Sequence, residues 1–112
     1  MTPITARIRI YFGSNLAVGP GRIELLEGVQ RTGSLARAAR GMGMSYRRAW
    51  LLMQSLNESL VSPATMATRG GCRGGGATVT ATGLALIRIY RRMEAKAVSD
   101  ISRRFAKFAR PR

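Results

Sequence analysis

Ser45-Tyr46-Arg47-Arg48 places two hydroxyl-bearing side chains and two guanidinium groups in four consecutive positions. Groups of this kind hold anions and read base edges. A guanidinium pairs bidentately with phosphate or with guanine O6 and N7, and hydroxyls donate to phosphate oxygens. They do not by themselves break bonds. The sequence has no histidine and a single cysteine, so it cannot assemble a His-bearing catalytic dyad, a His zinc site or a thiolate cluster. Cys72 has Arg73 beside it to favour a thiolate, but with no His partner it is read as a bystander thiol rather than a nucleophile or redox switch. The expectation is a binding protein and not an enzyme, with no cofactor and no metal.

Two helices have to position these residues. Leu35, Ala38, Ala39 and Met42 fall at i, i+3, i+4 and i+7, one apolar face at helical period, and Ser34 stands where a hydroxyl caps the first turn. Gly41 and Gly43 interrupt the pattern, and a glycine there supplies the positive φ that a short helix-to-helix turn needs. A second helix is expected over 45–60, capped by Ser45, with Ala49, Leu52, Met53, Leu56 and Leu60 as a sustained stripe. Ser45, Tyr46, Arg47 and Arg48 then occupy the first turn, where a recognition helix meets base edges and phosphates. Tyr46 and Trp50 have faces on which bases could stack, although Trp50 borders the stripe and is expected at the edge of the core. An ordinary helical hairpin with a solvated basic edge would show the same spacing.

The rest of the chain frames this pair. Residues 1–6 read as a loose end. Arg7 to Phe12 alternates, with Ile8, Ile10 and Phe12 on one side, as in a half-buried strand. Gly13 to Gly21 reads as a loop, and a helix follows from Arg22 with Ile23, Leu25, Leu26 and Val29 towards the core and a stop at Thr32-Gly33. Ser62-Pro63 ends the second helix of the pair. Two short β-prone runs, 65–69 and 77–80, flank a glycine-rich tip and read as a hairpin, which after a helix-turn-helix is a wing. Arg69 and Arg73 would there reach phosphate or a minor groove. A plain surface loop remains open, and a phosphate-binding loop is disfavoured because the run lacks G-K-[ST]. Thr82 is expected to cap a last helix over about 83–108. On it Leu86, Tyr90, Met93, Ala97, Ile101, Phe105 and Phe108 form one long apolar stripe. A helix that long overhangs so small a domain, and the simplest cover for its stripe is the same helix of a second subunit.

Composition points to the same class. The sequence has 112 residues and a formal charge of +14, with 19 basic and 5 acidic side chains, and all the basic residues except Lys96 and Lys107 are arginine. One domain over 1–112 is expected. So much positive charge repels itself unless a polyanion is near, which favours nucleic acid or an anionic surface. A GC-rich genome would equally raise arginine over lysine. A single cysteine fits a reducing cytoplasm, and the sequence lacks an apolar run of membrane-spanning length.

The residues go further than the element order. Leu25 to Trp50 (L-L-E-G-V-Q-R-T-G-S-L-A-R-A-A-R-G-M-G-M-S-Y-R-R-A-W) and Gly70 to Gly83 (G-G-C-R-G-G-G-A-T-V-T-A-T-G) resemble the DNA-binding half of molybdate-responsive regulators of the ModE type. The T-G-S-x-x-x-A-A portion occurs in LysR-type regulators as well. The resemblance covers about residues 5–95. It implies an α+β, mainly α winged helix-turn-helix with an N-terminal strand, a β-hairpin wing and a long C-terminal dimerisation helix. It also implies a homodimer that grips a palindromic operator in double-stranded DNA. Carried over by position, Ser45, Tyr46, Arg47, Arg48, Arg69 and Arg73 are candidate DNA contacts; Ser34 is a further candidate DNA contact, and the apolar stripe of the last helix makes Leu86, Tyr90, Met93, Ala97, Ile101 and Phe105 the candidate dimer contacts. Full-length members carry oxyanion-binding domains after the long helix. This sequence stops soon after it, so it is expected to bind no molybdate itself. Ala81 stands where a proline is common. Pairing with a longer, sensor-bearing paralogue and non-specific nucleoid-type binding are the two other functions that the sequence permits.

Overall fold

The computed structural model describes residues 2–68 and 76–111. Strand β1 (Ile10–Phe12) pairs antiparallel with β2 (Asn15–Val18), and helix α1 (Pro20–Thr32) follows directly. Helices α2 (Leu35–Gly41) and α3 (Tyr46–Glu58) form the helix-turn-helix. Strands β3 (Thr65–Thr68) and β4 (Gly76–Val79) form a second antiparallel pair, and helix α4 (Ala81–Phe105) ends in a 3-10 turn, Ala106–Phe108. This is a winged helix with a long C-terminal helix. Arg69, Cys72 and Arg73, which the sequence places at the wing tip, lie outside the described residues.

One cluster forms the core. Ile23, Leu25, Leu26 and Val29 of α1 meet Ala38 and Ala39 of α2, Ala49, Met53 and Leu56 of α3, and Tyr90 of α4. Ala17, Val18, Ala64 and Val79 complete the cluster. The small side chains on α2 matter here: a Cβ at Gly28 would stand 2.8 Å from the Ala38 Cβ, so α1 and α2 cross with almost nothing between them.

Several boundaries differ from the sequence reading, each for a local reason. The expected loop before α1 contains β2, because Ala17 and Val18 enter the core while Asn15, Leu16 and Val18 pair with β1. A register shift between Ile10 and Tyr11 breaks the alternation of the first strand, so Tyr11 and Phe12 are both exposed and Phe12 does not join Ile8 and Ile10. Helix α1 begins two residues earlier than expected, since Pro20 supplies a preset φ at its first turn. Thr80 rather than Thr82 caps α4, accepting from the Gly83 N–H at 3.1 Å. The Thr82 hydroxyl lies 2.7 Å from that of Ser62 instead.

The N-terminal end is not loose. Residues 2–10 alternate half-buried at even positions and exposed at odd ones. The segment runs back along α4. The Tyr90 hydroxyl donates to the Ile8 carbonyl at 2.7 Å, Ile4 borders one hollow with Ile101 and Phe105, and the Thr2 hydroxyl donates to the Arg110 carbonyl at 3.0 Å. A helix of 25 residues, roughly 37 Å by its rise per residue, projects past the core and needs such cover. The alternation of Ile4, Ala6, Ile8 and Ile10 is the sequence signal for it.

An ion pair fastens α4 to α1. Arg91 donates to Glu27 through Nε at 2.9 Å and Nη2 at 2.7 Å, and to Glu94 through Nη1 at 2.7 Å. The Arg91 hydrogen bond holds the Glu27 carboxyl below the usual glutamate range, against the opposing effect of partial burial, and the same bonds raise the Arg91 guanidinium. A depressed carboxyl stabilises the fold above its unfolded pKa of about 4.3, and that stabilisation disappears as pH falls through the folded value. Glu27→Gln is therefore expected to cost about 1 kcal/mol at neutral pH, the Arg91 side chain being 41% exposed to screening solvent. Urea unfolding curves of the two proteins should converge below pH 4. A gap that persists at pH 2–3 would show that packing, not charge, carries the effect.

Candidate nucleic-acid interface

The turn between α2 and α3 is set by backbone. Gly43 takes φ +67°, and the Met44 N–H donates to the Ala39 carbonyl at 3.0 Å, which closes the corner. Ser34 and Ser45 are both caps: their hydroxyls accept from the Arg37 and Arg48 N–H groups at 3.1 Å. Ser34 and Ser45 thus spend their side-chain acceptors on the fold, while their hydroxyl hydrogens stay available to an anion.

The charge on α2 and on the first turns of α3 has no acidic side chain beside it in sequence. Arg37 and Arg40 on α2 and Arg47 and Arg48 on α3 are all exposed, and the sequence from Gly28 to Asn57 has no acidic residue. The ion pairs found among the described residues lie elsewhere, Arg91 with Glu27 and Glu94, and Arg103 and Arg104 with Asp100. None of the four arginines of the helix pair is therefore in an ion pair among the described residues, and the one acid of the pair, Glu58, stands at the far end of α3.

A cleft of about 540 Å³ separates α3 from the wing strands, with Tyr46, Trp50 and Gln54 on one wall, Met66 and Ala67 on the other, and Ser34 and Leu35 at its end. Trp50 is 44% exposed and faces this cleft, rather than packing at the edge of the core as its spacing suggested. Tyr46 is more open still. The wing is held at a fixed distance by polar contacts. Asn57 accepts from the Ala64 N–H at 2.8 Å and donates to the Thr65 hydroxyl at 3.1 Å, the Thr80 N–H donates to the Ala64 carbonyl at 2.9 Å, and the Ala77 N–H donates to the Gly33 carbonyl at 3.0 Å. Asn57 is a positioning residue that periodicity could not reveal, because its partners are created by the return of the chain.

Both the sequence and the fold have counterparts among known proteins. Molybdenum-pterin-binding protein MopB of Rhodobacter capsulatus is 44% identical over 78 residues, 70% of this chain and 29% of that protein. The DNA-binding transcriptional dual regulator ModE of Escherichia coli (strain K12) is 35% identical over 75 residues, 67% of this chain and 29% of that protein. The chain is homologous to the ModE-type regulators. It spans about a third of the length of the curated relatives it matches. No protein-family model matches it. Among solved structures, the DNA-binding domain of CbnR in complex with DNA has the same fold, with a TM-score of 0.63 and 22% identity over 80% of this chain and 97% of that one.

The stripe expected on the long helix divides into two faces. Tyr90 is 2% exposed, and its hydroxyl is bound to Ile8, so it belongs to the subunit's own core and is withdrawn from the surface. Leu86 and Met93 pack partly on that core, and Ala97 and Ile101 are half-buried. Phe105 is 55% exposed. Ile89, three residues from Leu86 and four from Met93, is 59% exposed. The single stripe drawn through 86, 90 and 93 passes over Ile89 because it follows the inward face. No helix is long and apolar enough to cross a membrane among the described residues.

Proposed function

We propose that this chain is a dimeric, sequence-specific DNA-binding transcriptional regulator. In this reading α3 enters a major groove, the β3–β4 wing lies over the backbone or a minor groove, and α4 pairs two copies. The observation that carries the reading is the exposed charge of Arg37, Arg40, Arg47 and Arg48 on the helix pair. The regulatory, DNA-binding role of the E. coli ModE relative, and the DNA in the CbnR complex, support it. Phosphate contacts supply most of the affinity and the first turns of α3 the specificity. Arg69 and Arg73, by their place between the wing strands in sequence, are assigned to phosphate or minor groove. The test is selection of bound sequences from random duplex DNA. A palindrome with half-sites about one helical turn apart, or a multiple of it, is expected. Binding without any consensus would favour nucleoid-type association. Absence of DNA binding alongside co-purification with a longer homologue would favour an interaction subunit.

Arg47, on the outer side of the first turn of α3, is assigned to a base edge, guanine O6 and N7 being the best geometric match. Arg47→Ala is expected to cost about 1–3 kcal/mol on the selected site and to relax preference at one base pair per half-site. Titrations against selected and scrambled duplexes check this. An equal loss on both would make Arg47 a charge anchor only.

Ile89 is assigned to the subunit contact, with Leu86 and Met93 beside it. Sedimentation at micromolar concentration should give twice the monomer mass for the wild type and the monomer mass for Ile89→Glu. A wild type that remains monomeric throughout that range would remove the dimer from the reading.

A further inference from the structure

On α3, Arg47, Leu51 and Gln54 follow one another at i, i+4 and i+7, on the side opposite the buried Ala49, Met53 and Leu56. Leu51 is 48% exposed. Lone exposed leucines are common and by themselves mean nothing. The position of this one is what counts. It stands at the centre of the outward stripe, one turn from Arg47 and one from Gln54, with Arg48 and Ser55 also within a turn. Packing does not use it, since Leu51 belongs neither to the core nor to the side chains packed against it. From Arg47 to Gln54 is roughly 10 Å along the helix, about the rise of three base pairs. The three side chains therefore present a guanidinium, an isobutyl and a carboxamide in the order in which a helix meets consecutive steps of a groove.

The occupant follows from chemistry. The major groove offers one apolar group, the C5-methyl of thymine, and an aliphatic side chain in contact with it buries both from water. The arginines on either side favour a polyanion over an apolar protein surface, which would have to desolvate them. Glu58 lies at the far end of the helix, within 3.4 Å of the Gln54 carboxamide, and so stays clear of the first two turns. We infer that Leu51 is a specificity-determining residue that reads a thymine methyl, with Arg47 and Gln54 reading the neighbouring base edges. The inference rests on the proposed mode of DNA binding and names what the centre of the recognition surface recognises.

The experiment uses the full chain and the duplex that it selects from random DNA. Each thymine of that duplex is replaced in turn by deoxyuridine, which keeps base pairing and removes only the methyl. One position per half-site is expected to weaken wild-type binding about fourfold, the equivalent of one buried methyl group. Leu51→Ala is expected to bind the thymine and uracil duplexes equally, at the wild-type level for uracil. Because Leu51 is outside the core, circular dichroism and thermal unfolding of the variant should match the wild type. Three results overturn the inference: no methyl-sensitive position, a uracil penalty that survives in Leu51→Ala, or Leu51→Ala binding every duplex as the wild type does, which would mark Leu51 as a protein contact. If selection yields no consensus at all, the underlying reading of sequence-specific binding fails first, and that outcome is distinct from the other three.

Discussion

Gly83→Ala is expected to lower the free energy of unfolding by about 3 kcal/mol, the upper end for a single added methyl in a packed site. Gly83 is buried in the first turn of α4. A Cβ there would run into the Ala64 carbonyl oxygen and come within 2.6 Å of the Val79 Cγ1. The carbonyl cannot rotate away, because it accepts the Thr80 N–H that ties the end of β4 to the end of the α3–β3 connection. The Gly83 N–H is itself the donor to the Thr80 cap, so a shift of this turn disturbs the cap as well. The strain therefore falls on the seam that sets the wing against α4. Thermal or urea unfolding measures it, with Gly41→Ala as the control. Gly41 sits in the last turn of α2 with nothing within 4 Å of an added Cβ, so that change should be neutral or stabilising by about 0.5 kcal/mol. Equal stabilities for the two variants would show that α4 moves away from Ala64 at little cost.

The triple change Arg37→Gln, Arg40→Gln and Arg48→Gln is expected to weaken DNA binding about 100-fold per subunit at 0.15 M salt, and to do so on selected and scrambled duplexes alike. All three guanidinium groups are exposed and belong to the helix pair. If each neutralises one phosphate, the salt slope should fall by about 2.7 per subunit. The measurement is the slope of log affinity against log salt for both duplexes. An unchanged slope would move the phosphate contacts off this surface, and a loss confined to the selected duplex would make these residues readers of sequence. Arg47→Ala should show the opposite pattern, which is why it is kept out of the triple variant.

The helices were legible because their signals are local. Ser34 and Ser45 precede periodic apolar runs and are caps, Gly33 and Gly43 take the positive φ that their positions demanded, and Ser62-Pro63 follows the end of α3. The sheet beside α1 was not legible, since Asn15–Val18 has too few residues to establish a period and pairs only because β1 lies next to it. Residues 1–6 read as a loose end although Ile4, Ala6, Ile8 and Ile10 alternate, because the arm's target, the overhanging half of α4, is about a hundred residues away in sequence.

The same division holds for the interface. Residue types and helical period alone determined which helix carries Ser45, Tyr46, Arg47 and Arg48, and that this turn would be basic and exposed. Charge, a sum over the chain, is likewise independent of folding. Tertiary structure decided which arginines are left unpaired, because Glu27 finds Arg91 across 64 positions and Asp100 pairs with Arg103 and Arg104 on its own helix. It decided that Tyr90 is core while Ile89 is surface, since a stripe of period 3.6 defines a face but not what covers it. It also decided that Trp50 opens into a cleft and that Asn57 holds the wing. Both depend on where the chain returns after Pro63, and that is a property of packing between elements and not of any one of them.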